Sequence, residues 1–145
     1  MAHDLFPKVA KEDPELPDRP EPQVARDFYA AMKAHSIEGV SALLDSDVVW
    51  HVPGRHSRSG TYLGRESTIG LFDNFSRAKK REIDVEDVLC GERFVMVLVR
   101  VIERSAAPNE SRFVHVIRTR NGRICESWHF DEDQSRLDER LDERS

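Results

Sequence analysis

Three histidines in strand-like segments are the residues of this sequence best suited to chemistry. His51 ends a β-branched and aromatic run just before Pro53-Gly54 forces a turn, and His115 and His129 lie in two later apolar segments. Imidazole has an ordinary pKa of about 6.5, so it accepts and returns protons near neutrality. Two or three imidazoles in one apolar cup could abstract a proton beside a carbonyl group and return it elsewhere. This pattern favours acid–base chemistry.

The remaining histidines and the metal alternative carry less weight. His56 lies in a polar run that predicts an exposed loop, and we expect no function for His56, His3 or His35. Three imidazoles in one hollow could also hold a metal ion, but no pair of them has helical ligand spacing. We therefore expect neither a metal site nor a cofactor. Each strand histidine also has a plainer interpretation as a packed core residue.

The first half of the chain is predicted to form three helices and one strand. An apolar period of 3.6 predicts a helix over residues 23–35, and Ser36 is suited to cap a second helix that ends near residue 45. The strand at 48–52 follows. After a polar loop, a third helix is predicted over residues 65–78.

The second half changes to a period of two, which is typical of strands. Asn121-Gly122 is a strong signal for a tight hairpin between the last two strands. Helices followed by an antiparallel meander predict an α+β fold with helices on one face of the sheet. The central strand is apolar on both sides, so we expect a second subunit on the other face and hence a homodimer. The four predicted strands span residues 82–89, 94–102, 113–119 and 124–130.

Composition bounds the class of protein. The chain has 145 residues and a net charge of −5, which gives no reason to expect nucleic acid as a partner. No apolar run approaches the ~18 residues of a membrane span. Residues 1–22 hold five of the seven prolines and predict an extended or disordered lead-in, and residues 132–145 form a charged tail. One domain at 23–131 lies between them. The two widely spaced cysteines indicate reduced thiols in a cytoplasmic protein.

The order of these elements is similar to the cone-shaped fold of the nuclear-transport-factor-2-like superfamily. More narrowly, the chain resembles the SnoaL-like polyketide cyclases and the ketosteroid isomerases. The similarity rests on W-H-V-P-G followed by S-G-T-Y-L-G, and on F-V-H-V-I-R-T-R-N-G-R-I followed by W-H-F-D. It covers about residues 24–131. It implies a curved antiparallel sheet wrapped around the N-terminal helices, with a hollow for a small hydrophobic molecule.

The resemblance also assigns positions. His51 falls where the isomerase has its carboxylate base, His115 where it has a protonated acid, and Asp27 where it has its oxyanion tyrosine. None of these residue types matches, so steroid isomerisation is not expected. His115 resembles the histidine of the cyclases, whose aspartate position is nearest His129. An epoxide hydrolase would need an aspartate two positions after Arg100, which is absent.

The register of the last hairpin decides whether His115 and His129 share a face. A two-residue turn at 121–122 places His129 on the opposite face from His115. A three-residue turn at 120–122 pairs His115 with Ser127 and keeps both histidines on one face. The local Asn-Gly rule favours the first register, and the resemblance favours the second, which we adopt.

The resulting hypothesis is a small-molecule-binding domain that works as a cofactor-independent isomerase or cyclase on a hydrophobic carbonyl compound. His51 is the candidate general base, His115 polarises the substrate oxygen, and His129 lies beside them. The alternative is a non-catalytic ligand-binding or dimerisation module of the same fold. The candidate wall of the hollow consists of Asp27, Phe28, Tyr62, Phe72, Phe75 and Met96.

Overall fold

The computed structural model describes residues 21–76, 81–104 and 108–142 of the protein. Within them, six strands form one sheet in the order β2-β1-β6-β5-β4-β3, in which only the β1–β6 pair is parallel. The sheet is curved and not closed, and the N-terminal helices pack against one face, which confirms the α+β prediction. The helices are α1 (Glu21–Lys33), α2 (Ile37–Ala42), α3 (Arg65–Ser76) and α4 (Gln134–Asp142). The strands are β1 (Leu44–Val52), β2 (Gly60–Leu63), β3 (Arg81–Cys90), β4 (Val95–Glu103), β5 (Asn109–Arg120) and β6 (Arg123–Asp131).

Helix α1 buries one stripe against the sheet. Val24, Ala25, Phe28 and Tyr29 are all at most 3% exposed, and they recur at the spacing of successive helical turns. Pro22 lies in the first turn, where a missing N–H costs no helical hydrogen bond. Helix α1 begins at Glu21, two residues before the predicted helix, and residues 1–20 of the predicted lead-in lie outside the described part of the chain.

The second helix is shorter than predicted. Ser36 caps it as expected, because its Oγ accepts a hydrogen bond from the N–H of Gly39 at 3.0 Å. The helix ends at Ala42, and β1 already starts at Leu44, where it pairs with Ile124 of β6. Pairing with a distant strand overrides the local helical pattern at this point.

The hairpin between β5 and β6 corrects the predicted register. Its turn has two residues, since Arg120 pairs with Arg123, and both Asn121 and Gly122 adopt positive φ angles of 53° and 75°. The three-residue turn was therefore wrong. An irregularity one step further along shifts the pairing by one residue, so that His115 lies directly opposite His129. The two histidines share a face for a reason that neither sequence-based register contained.

The faces of the sheet differ in character. The helix-covered inner face carries the core side chains, among them Trp50, Val97 and Ile117, all at most 2% exposed. The outer face carries large apolar side chains that no described element covers, such as Phe130 at 59% and Met96 at 43% exposure. Strand β4 therefore carries apolar side chains on both faces, as the sequence indicated.

The charged tail and the cysteines complete the description. Residues 134–142 of the tail form α4, with Leu137 and Leu141 half-buried on one side.

Cys90 is exposed and Cys125 is buried, and both are free thiols. None of the helices in the described ranges has the length and apolar character that crossing a membrane requires.

Candidate functional site

A cavity of about 640 Å³ lies between the inner face of the sheet and the helices. This volume is in the range of small-molecule sites, roughly 300–1,000 Å³. Its wall is mostly aromatic and aliphatic, with Phe28, Trp50 and Phe72 at its core-facing side. Polar and charged residues also line it, among them Tyr29, His129, Asp131 and Arg81. A largely apolar wall combined with polar groups is the usual form of a site that binds and orients a small organic ligand.

His115 is buried beside this cavity and contacts several of the residues around it. Its side chain has no exposed surface, and both ring nitrogens are hydrogen-bonded. Nδ1 lies 2.7 Å from the hydroxyl of Tyr29, and Nε2 is in a short hydrogen bond with Oγ of Ser127. The ring stacks on His129 with centroids 4.2 Å apart and meets Trp50 edge-on at 5.0 Å. These contacts fix the position of the His115 ring and of the Tyr29 hydroxyl.

His129 is the histidine that lines the cavity. Its ring lies between Trp50 and Phe113, with centroid distances of 5.4 Å to each. Its Nδ1 is buried and has no hydrogen-bond partner among the described residues. Such an unsatisfied buried group costs about 1–3 kcal/mol. A ligand with a polar group beside this ring would offset part of that cost.

Burial sets the charge state of the site. It lowers the pKa of His115 well below its ordinary value, and the neighbouring His129 lowers it further. Burial also lowers the pKa of His129 to about 4, against the opposing effect of a backbone hydrogen bond to His51. The pKa of the Tyr29 phenol is raised well above its ordinary value, again by burial. At neutral pH the site therefore holds two neutral imidazoles and a protonated phenol.

These shifts predict how stability depends on pH. Between about pH 6.5 and 4 the unfolded chain protonates His129 while the folded protein does not. His129 should therefore not reduce the free energy of unfolding above pH 6.5. As the pH drops towards 4, His129 alone should lower that free energy by about 3 kcal/mol. The variant His129→Phe keeps a stacked ring and should flatten this dependence by about 1.4 kcal/mol per pH unit. Urea unfolding at several pH values checks it, and identical slopes for both proteins would contradict it.

Comparison with known proteins decides the family. The sequence model described as the SnoaL-like domain matches residues 25–127, which is most of the chain. The chain belongs to the SnoaL-like domain family. A search of curated proteins found no match. The family assignment agrees with the resemblance found in the sequence.

Solved structures show the same fold for this SnoaL-like domain. An NTF2-like protein from Burkholderia xenovorans has a TM-score of 0.67 and 23% identity, covering 82% of this chain and 92% of that chain. TerC, co-crystallised with polyporic acid, has a TM-score of 0.72 and 19% identity, covering 83% and 96%. A putative ketosteroid isomerase from Kribbella flavida has a TM-score of 0.64 and 17% identity, covering 77% and 76%. Identities this low establish the fold alone.

His51 is not in the cavity of the SnoaL-like domain, so that prediction was wrong. Neighbouring residues of a strand point to opposite faces, and Trp50 takes the inner one. His51 lies on the outer face, where Nε2 is 2.8 Å from Glu126 and the ring stacks on Trp128 at 5.4 Å. Its Nδ1 is 3.2 Å from Oγ1 of Thr61. The three strand histidines therefore do not converge, and only His115 and His129 meet.

Three of the predicted wall residues also lie elsewhere. Asp27 accepts a hydrogen bond from Gln23 one helical turn earlier, away from the cavity. Tyr62 donates its hydroxyl to the carbonyl oxygen of Arg58 and does not line the cavity. Met96 is on the outer face, since Val95 and Val97 take the inner one. Phe28 and Phe72 do line the cavity. The side chain of Phe75 lies outside the described part of α3.

The sequence analysis did not predict several residues that line the cavity. Tyr29 follows Ala25 by four positions and thus belongs to the buried stripe of α1, a signal that was available. Asp131 follows His129 by two positions and shares its face, and burial raises the pKa of its carboxyl group. His56 was expected in an exposed loop but is 6% exposed and lines the cavity, and burial lowers its pKa. No local pattern indicated that burial. Within the described ranges, no group of three or more side chains is arranged to hold a metal ion.

Proposed function

We propose that this SnoaL-like domain binds a small hydrophobic carbonyl compound and moves a proton next to the carbonyl, as a cofactor-independent isomerase or cyclase. The observation that carries the proposal is that a neutral imidazole residue, His129, and a protonated phenol residue, Tyr29, both line one cavity with a largely aromatic and aliphatic wall. His115 contacts both. His129 replaces His51 as the candidate base.

The chemistry needs one acceptor and one donor. The His129 imidazole takes a proton from the carbon beside the carbonyl, the C–H electron pair forms the enolate, and its oxygen gains the negative charge. Tyr29 stabilises that oxygen with a hydrogen bond. His129 then returns the proton to carbon, at the same position or another. Its low pKa keeps the imidazole unprotonated, and therefore available as an acceptor, at neutral pH.

The hydrogen bonds that link Tyr29, His115 and Ser127 determine whether the Tyr29 hydroxyl can donate to a ligand. Tyr29 donates to a ligand only if it accepts from His115, which then carries its proton on Nδ1. In that tautomer the Nε2 of His115 accepts from the hydroxyl of Ser127. In the resulting chain of hydrogen bonds, Ser127 donates to His115, His115 donates to Tyr29, and Tyr29 is left to donate to the ligand. Linked hydrogen bonds of this kind strengthen one another in an apolar interior.

The proposal can be tested with a model ketone. In D₂O the unsubstituted protein should catalyse exchange of the hydrogens beside the carbonyl of 2-tetralone, followed by mass spectrometry. The variant His51→Ala removes a histidine from the opposite face of the same sheet, and its rate should stay within about twofold. Exchange no faster than in buffer would overturn the catalytic proposal.

A non-catalytic ligand-binding role is the second candidate. The lowered pKa of His129 favours this role, because a base with a pKa of about 4 accepts protons only weakly. TerC, which has this fold, was co-crystallised with polyporic acid, and this supports a small organic ligand in either case. Saturable binding of 2-tetralone without exchange would favour this second role.

We also propose that the outer face of the sheet is covered by a second copy of the chain. One row across four strands contains Met96, Val116, Trp128 and His51, and the adjacent row ends in Phe130. Large exposed apolar patches of this kind mark interaction surfaces. The charges around the rows occur as pairs of opposite sign, so the face has no net preference for an acidic or a basic partner and suits a second copy of itself. These pairs are Arg118–Glu126, Arg112–Glu86 and Arg100–Asp84.

The dimer makes a prediction of its own. Phe130→Glu places a charge in the adjacent row of the same apolar surface and should convert a dimer into a monomer, weakening association by about 100-fold or more. The matched control is Glu132→Gln, an exposed neighbour outside the row. Sedimentation equilibrium measures both. A monomeric unsubstituted protein, or a dimer that persists in Phe130→Glu, would contradict the proposal.

We propose a cytoplasmic location as well. It is supported by the two cysteines, which are free thiols in the structure. Free thiols persist in reducing compartments. Alkylation of Cys90 in intact cells, compared with purified protein, tests whether this exposed thiol is reduced in place.

A further inference from the structure

Helix α4 is polar except for two leucines, and both of them face the cavity. Its sequence is QSRLDERLD, and none of its side chains is fully buried. Leu137 and Leu141 are its only apolar residues, and both line the cavity together with Gln134. The apolar contribution of α4 is therefore made to the cavity wall.

Polar contacts fasten α4 at two places. The carboxylate of Asp138 accepts a hydrogen bond from the N–H of Arg55 at 3.0 Å, and that of Asp142 accepts one from the N–H of Ser57 at 3.2 Å. On its other side, Arg140 forms a close ion pair with Glu103 at the end of β4. Hydrogen bonds to charged groups are stronger than those between neutral groups. A few such contacts hold the helix, and their loss would release it.

The loop that receives these contacts is built for close approach. Gly54 has a φ of +98°, a conformation that residues with a Cβ rarely adopt. A Cβ at this position would also overlap the Asp138 carboxylate and the Gln134 amide. Gly60, at the other end of the same loop, also has a positive φ of +142°, but a Cβ there would meet nothing within 4 Å. The tight fit at Gly54 is therefore specific to α4.

We propose that α4 is a ligand-selecting cap on the cavity. Leu137 and Leu141 contact the bound molecule and limit its length, and the hydrogen bonds from the 53–57 loop to Asp138 and Asp142 keep the cap closed. This inference rests on the proposed function only in requiring that a ligand occupies the cavity.

The fastening is tested without a ligand by hydrogen–deuterium exchange of residues 134–142. Asp138→Ala should accelerate exchange in this segment by about tenfold, since it removes a charge-assisted hydrogen bond. Glu139→Ala removes a carboxylate from the next, exposed position of the same helix and should leave exchange unchanged. Equal effects of the two substitutions would overturn the fastening.

The selection is tested with a homologous series of methyl ketones, with binding measured by calorimetry. The unsubstituted protein should show an affinity that rises with chain length and then drops at a limit. Gly54→Ala and Leu137→Ala should move that limit to longer chains, whereas Gly60→Ala should not. Binding with the same limit in all variants would overturn the cap alone. No saturable binding of any ketone to the unsubstituted protein would overturn the proposed function itself.

Discussion

Replacing His129 with alanine is expected to lower the rate of 2-tetralone exchange by about 10²–10⁴-fold, the usual contribution of a positioned acid–base group. The reason is geometric, because His129 is the strand histidine whose ring lines the cavity. Its pKa of about 4 adds a second expectation. The rate of the unsubstituted protein should be level above about pH 5 and fall below it as His129 becomes protonated.

The control for this experiment is His51→Ala, which removes the same side chain from the outer face. Urea unfolding of each variant shows that the fold is retained at the working temperature. A loss in His51→Ala equal to the loss in His129→Ala would place the chemistry elsewhere. Unchanged exchange in His129→Ala would remove the candidate base.

The second large effect is on stability. His115→Phe keeps an aromatic ring in the stack but removes both hydrogen-bonding nitrogens, leaving the hydroxyls of Tyr29 and Ser127 buried without their partner. Each such group costs about 1–3 kcal/mol, so we expect a loss of about 3–5 kcal/mol in the free energy of unfolding. Urea unfolding at pH 7.5 measures it.

A rescue experiment separates hydrogen bonding from packing. Adding Tyr29→Phe and Ser127→Ala to His115→Phe removes the orphaned hydroxyls and should restore about 2 kcal/mol. In the unsubstituted background the same two changes should be destabilising, because they leave the nitrogens of His115 unpaired. Further destabilisation of the His115→Phe protein by these changes would show that the buried chain contributes nothing as a unit.

Much of the fold could be predicted from the sequence because its elements carry local signals. The stripe of α1, the Ser36 cap, the Asn121-Gly122 turn and the period of two after residue 81 each identify an element without reference to the rest of the chain. The family resemblance adds their arrangement. The SnoaL-like match confirms that arrangement.

The faces of the strands could not be predicted in the same way. The segment around Trp50 and His51 is apolar or amphipathic at every position, so its alternation does not tell inside from outside. In the last hairpin a one-residue irregularity brings His115 and His129 together, and no residue type near Cys125 signals it. Face assignments of single residues depend on such register details, and this is why His51 and Met96 were misplaced.

The cavity residues from distant parts of the chain were the least predictable. His56 becomes buried in a loop that α4 contacts, although its own neighbours are polar. The charged composition of the tail gave no indication that Leu137 and Leu141 would complete the wall. These placements result from tertiary contacts between segments about 80 residues apart.

The central claim is that a ligand carbonyl meets His129, and not His51, inside the cavity. The most direct measurement is a long-range ¹H–¹⁵N spectrum of the histidine rings during titration with 2-tetralone. The ring nitrogens of His129 should shift with saturation while those of His51 stay fixed. Shifts confined to His51, or a bound ligand that leaves His129 unchanged, would contradict the account.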